Sequence, residues 1–143
     1  MCGIAGALAF QSAHAYGRDE LASRVLSMTS AIEHRGPDDE GVWVHPGAHL
    51  ALGHRRLAIV DLSPRGHQPM HYGNRLSIVF NGEIYNFRPL RDELLALGCT
   101  FSSSTDTEVI LAAVLQWGIE GALGRMVGMF AFALWDERDH ALY

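Results

Sequence analysis

Cysteine stands second in this chain, in Met1-Cys2-Gly3-Ile4-Ala5-Gly6. Removal of Met1 would leave one residue carrying both a thiol and a free α-amine. A thiol is a strong nucleophile once deprotonated. An α-amine titrates near ~8, well below the ~10.4 of a lysine amine, so it can accept a proton near neutrality. Together they could form a one-residue catalytic unit, nucleophile and base in one. The plainer alternative is a small residue buried in a first strand, where free cysteine packs well. Asn81-Gly82 offers a side-chain amide and a closely approachable N–H, the donors a developing oxyanion needs. Asn-Gly is equally the commonest hairpin pair, although Glu83-Ile84-Tyr85-Asn86 leads here to a helix and not to a return strand. The planar forks of Arg55 and Arg56 suit a carboxylate. In a strand the two point to opposite faces, so only one should reach a site. Asp106 is an acid whose bland role is to sit in a first helical turn, where the helix dipole favours it.

Periodicity predicts the elements that must hold these residues. A buried strand is expected over 2–10 and a helix over 18–33, with Leu21, Val25, Met28 and Ile32 on one stripe. Gly36-Pro37 breaks that helix. Strands follow over 41–44 and 49–60, then a long loop over 61–74, long enough to point to function. A strand over 75–80 runs into Asn81-Gly82. A helix is expected over 87–97 with Asn86 as its cap, and a short strand over 99–101. Thr105-x-x-Glu108 reads as a capping box before a helix over 106–117. Gly118 ends it, a shorter helix follows over 119–126, and a strand covers 129–136. Strands and helices in blocks favour α+β layers over a parallel doubly wound sheet. Ala141-Leu142-Tyr143 starts a further strand, which leads us to expect a domain that continues past residue 143.

The chain has 143 residues, a hydrophobic share of 48% and a net charge of −5, which allow a real core and disfavour a nucleic-acid groove or polybasic membrane patch. No stretch reads as a signal segment or a membrane span. Two distant cysteines do not make a disulfide framework, and a working thiol suits a reducing cytoplasm. Cys99 is expected to be buried and inert. The pairs His45/His49 and His67/His71 have i, i+4 spacing, but they fall in strand or loop, where that spacing aligns nothing. No metal site is expected, and most of the eight histidines read as exposed polar residues.

Six segments, in this order, resemble the glutaminase domain of class II glutamine amidotransferases, which are N-terminal-nucleophile hydrolases. They are Met1-Cys2-Gly3-Ile4, His34-Arg35-Gly36-Pro37-Asp38, Gly53-His54-Arg55-Arg56-Leu57-Ala58-Ile59-Val60-Asp61, Asn81-Gly82-Glu83-Ile84-Tyr85-Asn86, Thr105-Asp106-Thr107-Glu108 and Gly128-Met129-Phe130-Ala131-Phe132-Ala133. The similarity spans 1–143 and is closest to the glutamine-hydrolysing asparagine synthetase branch; other branches carry His before Asn-Gly, where Phe80 stands here.

The resemblance implies a four-layer α/β/β/α sandwich of two mainly antiparallel sheets, and hydrolysis of glutamine by Cys2. It implies Asn81 and Gly82 at the oxyanion and Arg56 at the substrate carboxylate. Ile59 and Val60 would give backbone contacts, and Asp106 with Glu83 would hold the α-ammonium. Segment 35–38 would shape a loop covering the pocket, and 61–70 would cover it too. The glutaminase half would need no cofactor. ATP and Mg²⁺ would serve a synthetase domain, absent from these residues, that amidates aspartate or another carboxylate acceptor. A homodimer is compatible with the resemblance, as is a non-catalytic binding module that keeps the fold.

Overall fold

A computed structural model describes residues 2–9, 16–47, 49–59, 61 and 63–143. Its strands are β1 (Gly3–Leu8), β2 (Asp39–Val44), β3 (Leu50–Arg56), β4 (Met70–Tyr72), β5 (Leu76–Ile84), β6 (Gly128–Asp136) and β7 (Ala141–Leu142). Its helices are α1 (Arg18–Ala31), α2 (Phe87–Ala96) and α3 (Asp106–Leu123), with short 3₁₀ turns at Glu33–Arg35 and Pro64–Gly66. Two antiparallel sheets result, one ordered β1-β3-β2 and the other β4-β5-β6-β7.

Pleat alternation explains the layering. In β3, Ala51 faces α1 with Leu21, Val25 and Val44, whereas Leu50 and Leu52 face the other sheet, against Val79 of β5 and Trp135 of β6. In β5, Leu76, Ile78 and Phe80 turn the opposite way, into the main core with Leu90 and Leu94 of α2 and Ile110 and Leu111 of α3. The order is therefore α1, three-stranded sheet, four-stranded sheet, α2 with α3: the four-layer α+β sandwich.

Polar ties fix the edges of this stack. Arg75 forks onto the buried Asp136, at 2.6 Å from Nη2 to Oδ2, locking the start of β5 to the end of β6 and holding the Asp136 carboxyl below its ordinary range. Across the sheets, the Glu137 carboxylate accepts hydrogen bonds from His45 Nε2 at 2.8 Å and from Trp135 Nε1 at 2.7 Å. The Gly47 N–H occupies His45 Nδ1, so Nε2 carries the ring proton.

Several elements differ from their sequence patterns. The buried stripe of α1 is Leu21, Val25 and Thr29, an i, i+4, i+8 row, and Met28 is exposed. Thr29 is tolerated inside because its hydroxyl donates to Glu40 at 2.6 Å. Residues 99–101 form no strand. Asn86 does not cap α2; its side chain ties Arg125 O and the Val127 N–H instead. The long loop contains a 3₁₀ turn and β4. Gly118 interrupts α3 with φ 71°, so two helical segments meet there, as the sequence pattern indicates. His45 and His54 are buried, whereas His34, His67, His71 and His140 are exposed. Cys2 and Cys99 are both free and half-buried.

Candidate functional site

At one end of the layer between the sheets the side chains turn polar. The inward row of β3 runs Leu50, Leu52, His54, Arg56, and past it opens a cavity of about 160 Å³. Cys2, Arg56, Ile59, Gly82, Glu83 and Asp106 all line it. These residues come from the start of β1, the end of β3 and its following loop, β5 and the first turn of α3. Asn81 does not line the cavity; alternation places it on the face of Val79, toward the other sheet. Its Oδ1 is buried with no hydrogen-bond partner among the described residues. Val60 and Met1 lie outside the described residues.

Cys2 sits one step before β1. Gly3 pairs with Arg55, so the register carries Cys2 opposite Arg56. Its Sγ meets the Leu57 N–H at 3.4 Å and the Leu57 carbonyl at 3.6 Å. Leu57 and Ala58 are held from beneath by Asp38: the Ala58 N–H donates to Asp38 Oδ2 at 2.8 Å, and the Asp38 N–H to Arg56 O at 3.0 Å. Segment 35–38 thus braces the cavity wall and does not itself line the cavity.

Arg55 and Arg56 do part to opposite faces. Arg55 is buried toward α1, between Glu33 at 3.1 Å and Glu40 at 3.2 Å, with Nε donating to Gly36 O. Arg56 faces the cavity and is itself buried, its guanidinium donating to the carbonyls of Ser63, at 2.9 Å, and Asp61. It packs against Gly66, where any Cβ would collide with its Nη2 and Cζ. Two of its donors therefore hold the covering loop and the rest stay available to a ligand. That loop is latched to the residues before α3. Asp61 accepts from the Ser104 hydroxyl at 2.9 Å, and Arg65 donates to Ser102 O at 2.9 Å. Bonds from Ser63 and Ser104 hold the Asp61 carboxyl well below its ordinary range.

Strand β5 continues through Asn81-Gly82 to Ile84; it does not end at Phe80, and its backbone does not turn at Asn-Gly. Gly82 pairs with Phe130 at φ 155°, and a Cβ there would collide with Met129 O and with Phe130. Only glycine fits. The odd residues bond to β6, as the flanking contacts Glu137 N to Arg75 O and Tyr85 N to Val127 O indicate. Phe80, Gly82 and Ile84 therefore turn their backbone groups to the edge that β4 leaves uncovered. The Ile84 N–H donates there to Asp106 Oδ2 at 3.0 Å. Burial pushes the Asp106 carboxyl up from its ordinary value, and neighbouring Glu83 adds to that. Thr105 caps α3 by accepting from the Glu108 N–H, but Glu108 does not close the box. Its carboxylate binds Ser102 and Ser103; burial opposes its charge and these bonds outweigh it, holding it below the ordinary range.

Two buried residues that sequence reasoning passed over complete the site. Gln68 accepts the Phe80 N–H on Oε1 at 2.6 Å and donates to Thr107 Oγ1 at 3.3 Å. His54 Nε2 lies 3.0 Å from Phe80 O, and its Nδ1 has no partner among the described residues. The signal for His54 was present: a polar residue inside the otherwise inward-facing apolar row of β3 must find a buried partner. Desolvation lowers its pKa from 6.5 to about 4. The unfolded chain therefore binds a proton below pH 6.5 that the folded chain refuses until about pH 4. This contribution to stability is complete above pH 6.5 and is lost as pH falls toward 4, by about 3 kcal/mol in all. Urea unfolding at pH 7, 5.5 and 4 should show that decline in the parent chain and a shallower one in His54→Asn. Parallel declines would refute it.

No group of three or more His, Cys, Asp or Glu among the described residues could hold a metal ion. No helix among them is long and apolar enough to cross a membrane.

Comparison with known proteins fits this geometry. Residues 1–143 match the family described as the glutamine amidotransferase domain. The glutamine-hydrolyzing asparagine synthetases 1 and 3 of Bacillus subtilis are 42% and 39% identical over all of this chain, which spans 22% of each. Asparagine synthetase B of Escherichia coli is 40% identical over 85% of the chain, covering 21% of that relative. The glutamine phosphoribosylpyrophosphate amidotransferase of B. subtilis shares the fold, with a TM-score of 0.72 at 21% identity over 95% of this chain and 35% of that one. With its sequence matched from end to end and its layers shared with a solved amidotransferase, the chain belongs to the glutamine amidotransferase domain family.

Proposed function

We propose that this domain hydrolyses glutamine to glutamate and ammonia, with Cys2 as nucleophile. The observation that carries the reading is the convergence of Cys2, Arg56, Gly82 and Asp106 on one cavity from four separate segments. A thiol, a cationic fork, a strand-edge N–H and a carboxylate are the groups that amide hydrolysis of a zwitterionic amino acid requires. In this reading the substrate carboxylate meets Arg56, and its ammonium meets Asp106 and Glu83. That ammonium would oppose the rise that burial imposes on the Asp106 carboxyl. Ile59, at the cavity mouth, and Val60 supply backbone contacts.

The chemistry follows in balanced steps. The α-amine of a mature Cys2 takes the thiol proton, and the sulfur adds to the amide carbon. The Gly82 N–H, on the strand edge that faces the cavity, stabilises the oxyanion. The C–N bond breaks as the amine returns the proton to the leaving nitrogen, which departs as ammonia. Water then hydrolyses the thioester. These steps call on no metal or cofactor. In a longer protein, the ammonia would pass to a synthetase domain that uses ATP and Mg²⁺ to activate an acceptor carboxylate. We take aspartate as that acceptor, because the relatives that cover the whole chain are asparagine synthetases.

A diazoketone analogue of glutamine tests the reading directly. Intact-mass measurement should show Met1 gone and a single adduct, which peptide mapping places on Cys2 and which excess glutamine suppresses. An adduct elsewhere, or none on active protein, would rule the assignment out.

A further inference from the structure

We propose that Gln68 is a positioning residue for this reaction, its side-chain amide standing in for a ladder step that β4 does not make. The inference rests on the glutaminase reading of the cavity. Strand β4 pairs Met70 with Ile78 and goes no further along β5. Carried two residues on, the same register sets Gln68 opposite Phe80. A strand continuing there would accept the Phe80 N–H with a carbonyl and give the Phe80 carbonyl an N–H. The backbone of Gln68 does not do this; its carbonyl lies against Gly41. Instead Gln68 Oε1 accepts the Phe80 N–H at 2.6 Å, and His54 Nε2 reaches the Phe80 carbonyl at 3.0 Å. Two buried side chains from two different elements thus replace one missing pair of backbone bonds.

The next residue on the same edge is Gly82, which faces the cavity with no strand paired beyond it among the described residues. Its neighbour Ile84 is anchored by Asp106. The edge carrying the oxyanion donor is therefore fixed on both sides by buried side chains, Gln68 ahead of it and Asp106 behind. Gln68 is in turn tied to α3 through Thr107, so it links the strand edge to the helix start. Without the Gln68 bond, the Phe80 N–H would be buried and unpaired, and the peptide would rotate to find a partner. A rotation there re-aims Gly82, and donors to an oxyanion act only when aimed.

The test uses Gln68→Met, which keeps volume and removes both bonds, and Gln68→Glu, which keeps the acceptor for the Phe80 N–H. Gln68→Met should lower kcat for glutamine hydrolysis by roughly tenfold or more, the scale for a displaced oxyanion donor, with KM changed by less than about threefold. Gln68→Glu should recover most of kcat. Deuterium exchange at residues 80–82, read by fragmentation mass spectrometry, should speed up in Gln68→Met and return in Gln68→Glu. A Gln68→Met protein that melts cooperatively, with unchanged kcat or unchanged exchange at 80–82, would overturn the proposal. The exchange readout needs no turnover. Absence of glutaminase activity in the parent protein would therefore count against the function, while exchange would still decide whether Gln68 holds this edge.

Discussion

Replacing Cys2 with alanine will abolish release of ammonia from glutamine, by on the order of 10³-fold or more, the scale expected when the nucleophile of a covalent route is removed. Glutamine should still bind. Arg56, Asp106 and Gly82 sit on other elements, and none of them depends on the sulfur for its position. Alanine forgoes only the long approaches of Sγ to the Leu57 peptide, at 3.4 and 3.6 Å, and Asp38 still braces that segment. The paired measurements are glutamate release for turnover and calorimetric titration with glutamine for binding. Turnover comparable to the parent in Cys2→Ala would end the nucleophile assignment. Cys2→Ser should fall close to alanine, because a hydroxyl is a far weaker nucleophile than a thiol at the same pH.

Arg56→Lys is expected to raise KM for glutamine by roughly ten- to a hundredfold, with a smaller effect on kcat. Lysine keeps the charge but lacks the planar fork. It cannot reach the carbonyls of Ser63 and Asp61 while also presenting two parallel donors to a carboxylate. It also cannot fill the space beside Gly66 that the guanidinium occupies. The damage is thus twofold, a weaker grip on the ligand and a looser covering loop. Steady-state kinetics with glutamine, set beside binding of a glutamine analogue lacking the α-carboxylate, separates the two. The analogue should be much less sensitive to the substitution than glutamine. Equal effects on both would move the carboxylate site away from Arg56.

The residues brought to the cavity were largely legible in the chain because their chemistry is unusual where they stand. A cysteine at the second position, adjacent arginines within a strand and an acid opening a helix are visible without coordinates; that the strand closes at Arg56 and not at Val60 is not. What stayed hidden was how the backbone is satisfied around them. The sequence pattern stops β5 at Phe80 because Asn-Gly usually breaks a strand. The ladder to β6 instead runs unbroken from Leu76 to Ile84, since only glycine tolerates the approach of Met129 and Phe130. Asn86 has the makings of a cap, but the tertiary partners Arg125 and Val127 claim its side chain. Met28 fits a helical stripe as well as Thr29 does, until Glu40 offers a buried hydroxyl its acceptor. Gln68 sits in a proline-flanked loop with no periodicity to mark it. Its importance arises only because β4 is three residues long.

The parting of Arg55 and Arg56 has a consequence for how faithfully the chain must fold. A slip of β3 by a single residue against β1 and β2 would exchange the two guanidiniums, since side chains alternate with a period of two. The residue now delivered to the cavity would enter the acidic cage of Glu33 and Glu40, and its neighbour would take its place above Gly66. Charge and size would be conserved, so such a misthreaded molecule would suffer little by composition. It would nevertheless move Leu50 and Leu52 out of the layer between the sheets and bring Ala51 and Gly53 in. The apolar half of the strand thus proofreads the polar half. Fidelity at the cavity end is enforced by leucines at the far end of the same strand.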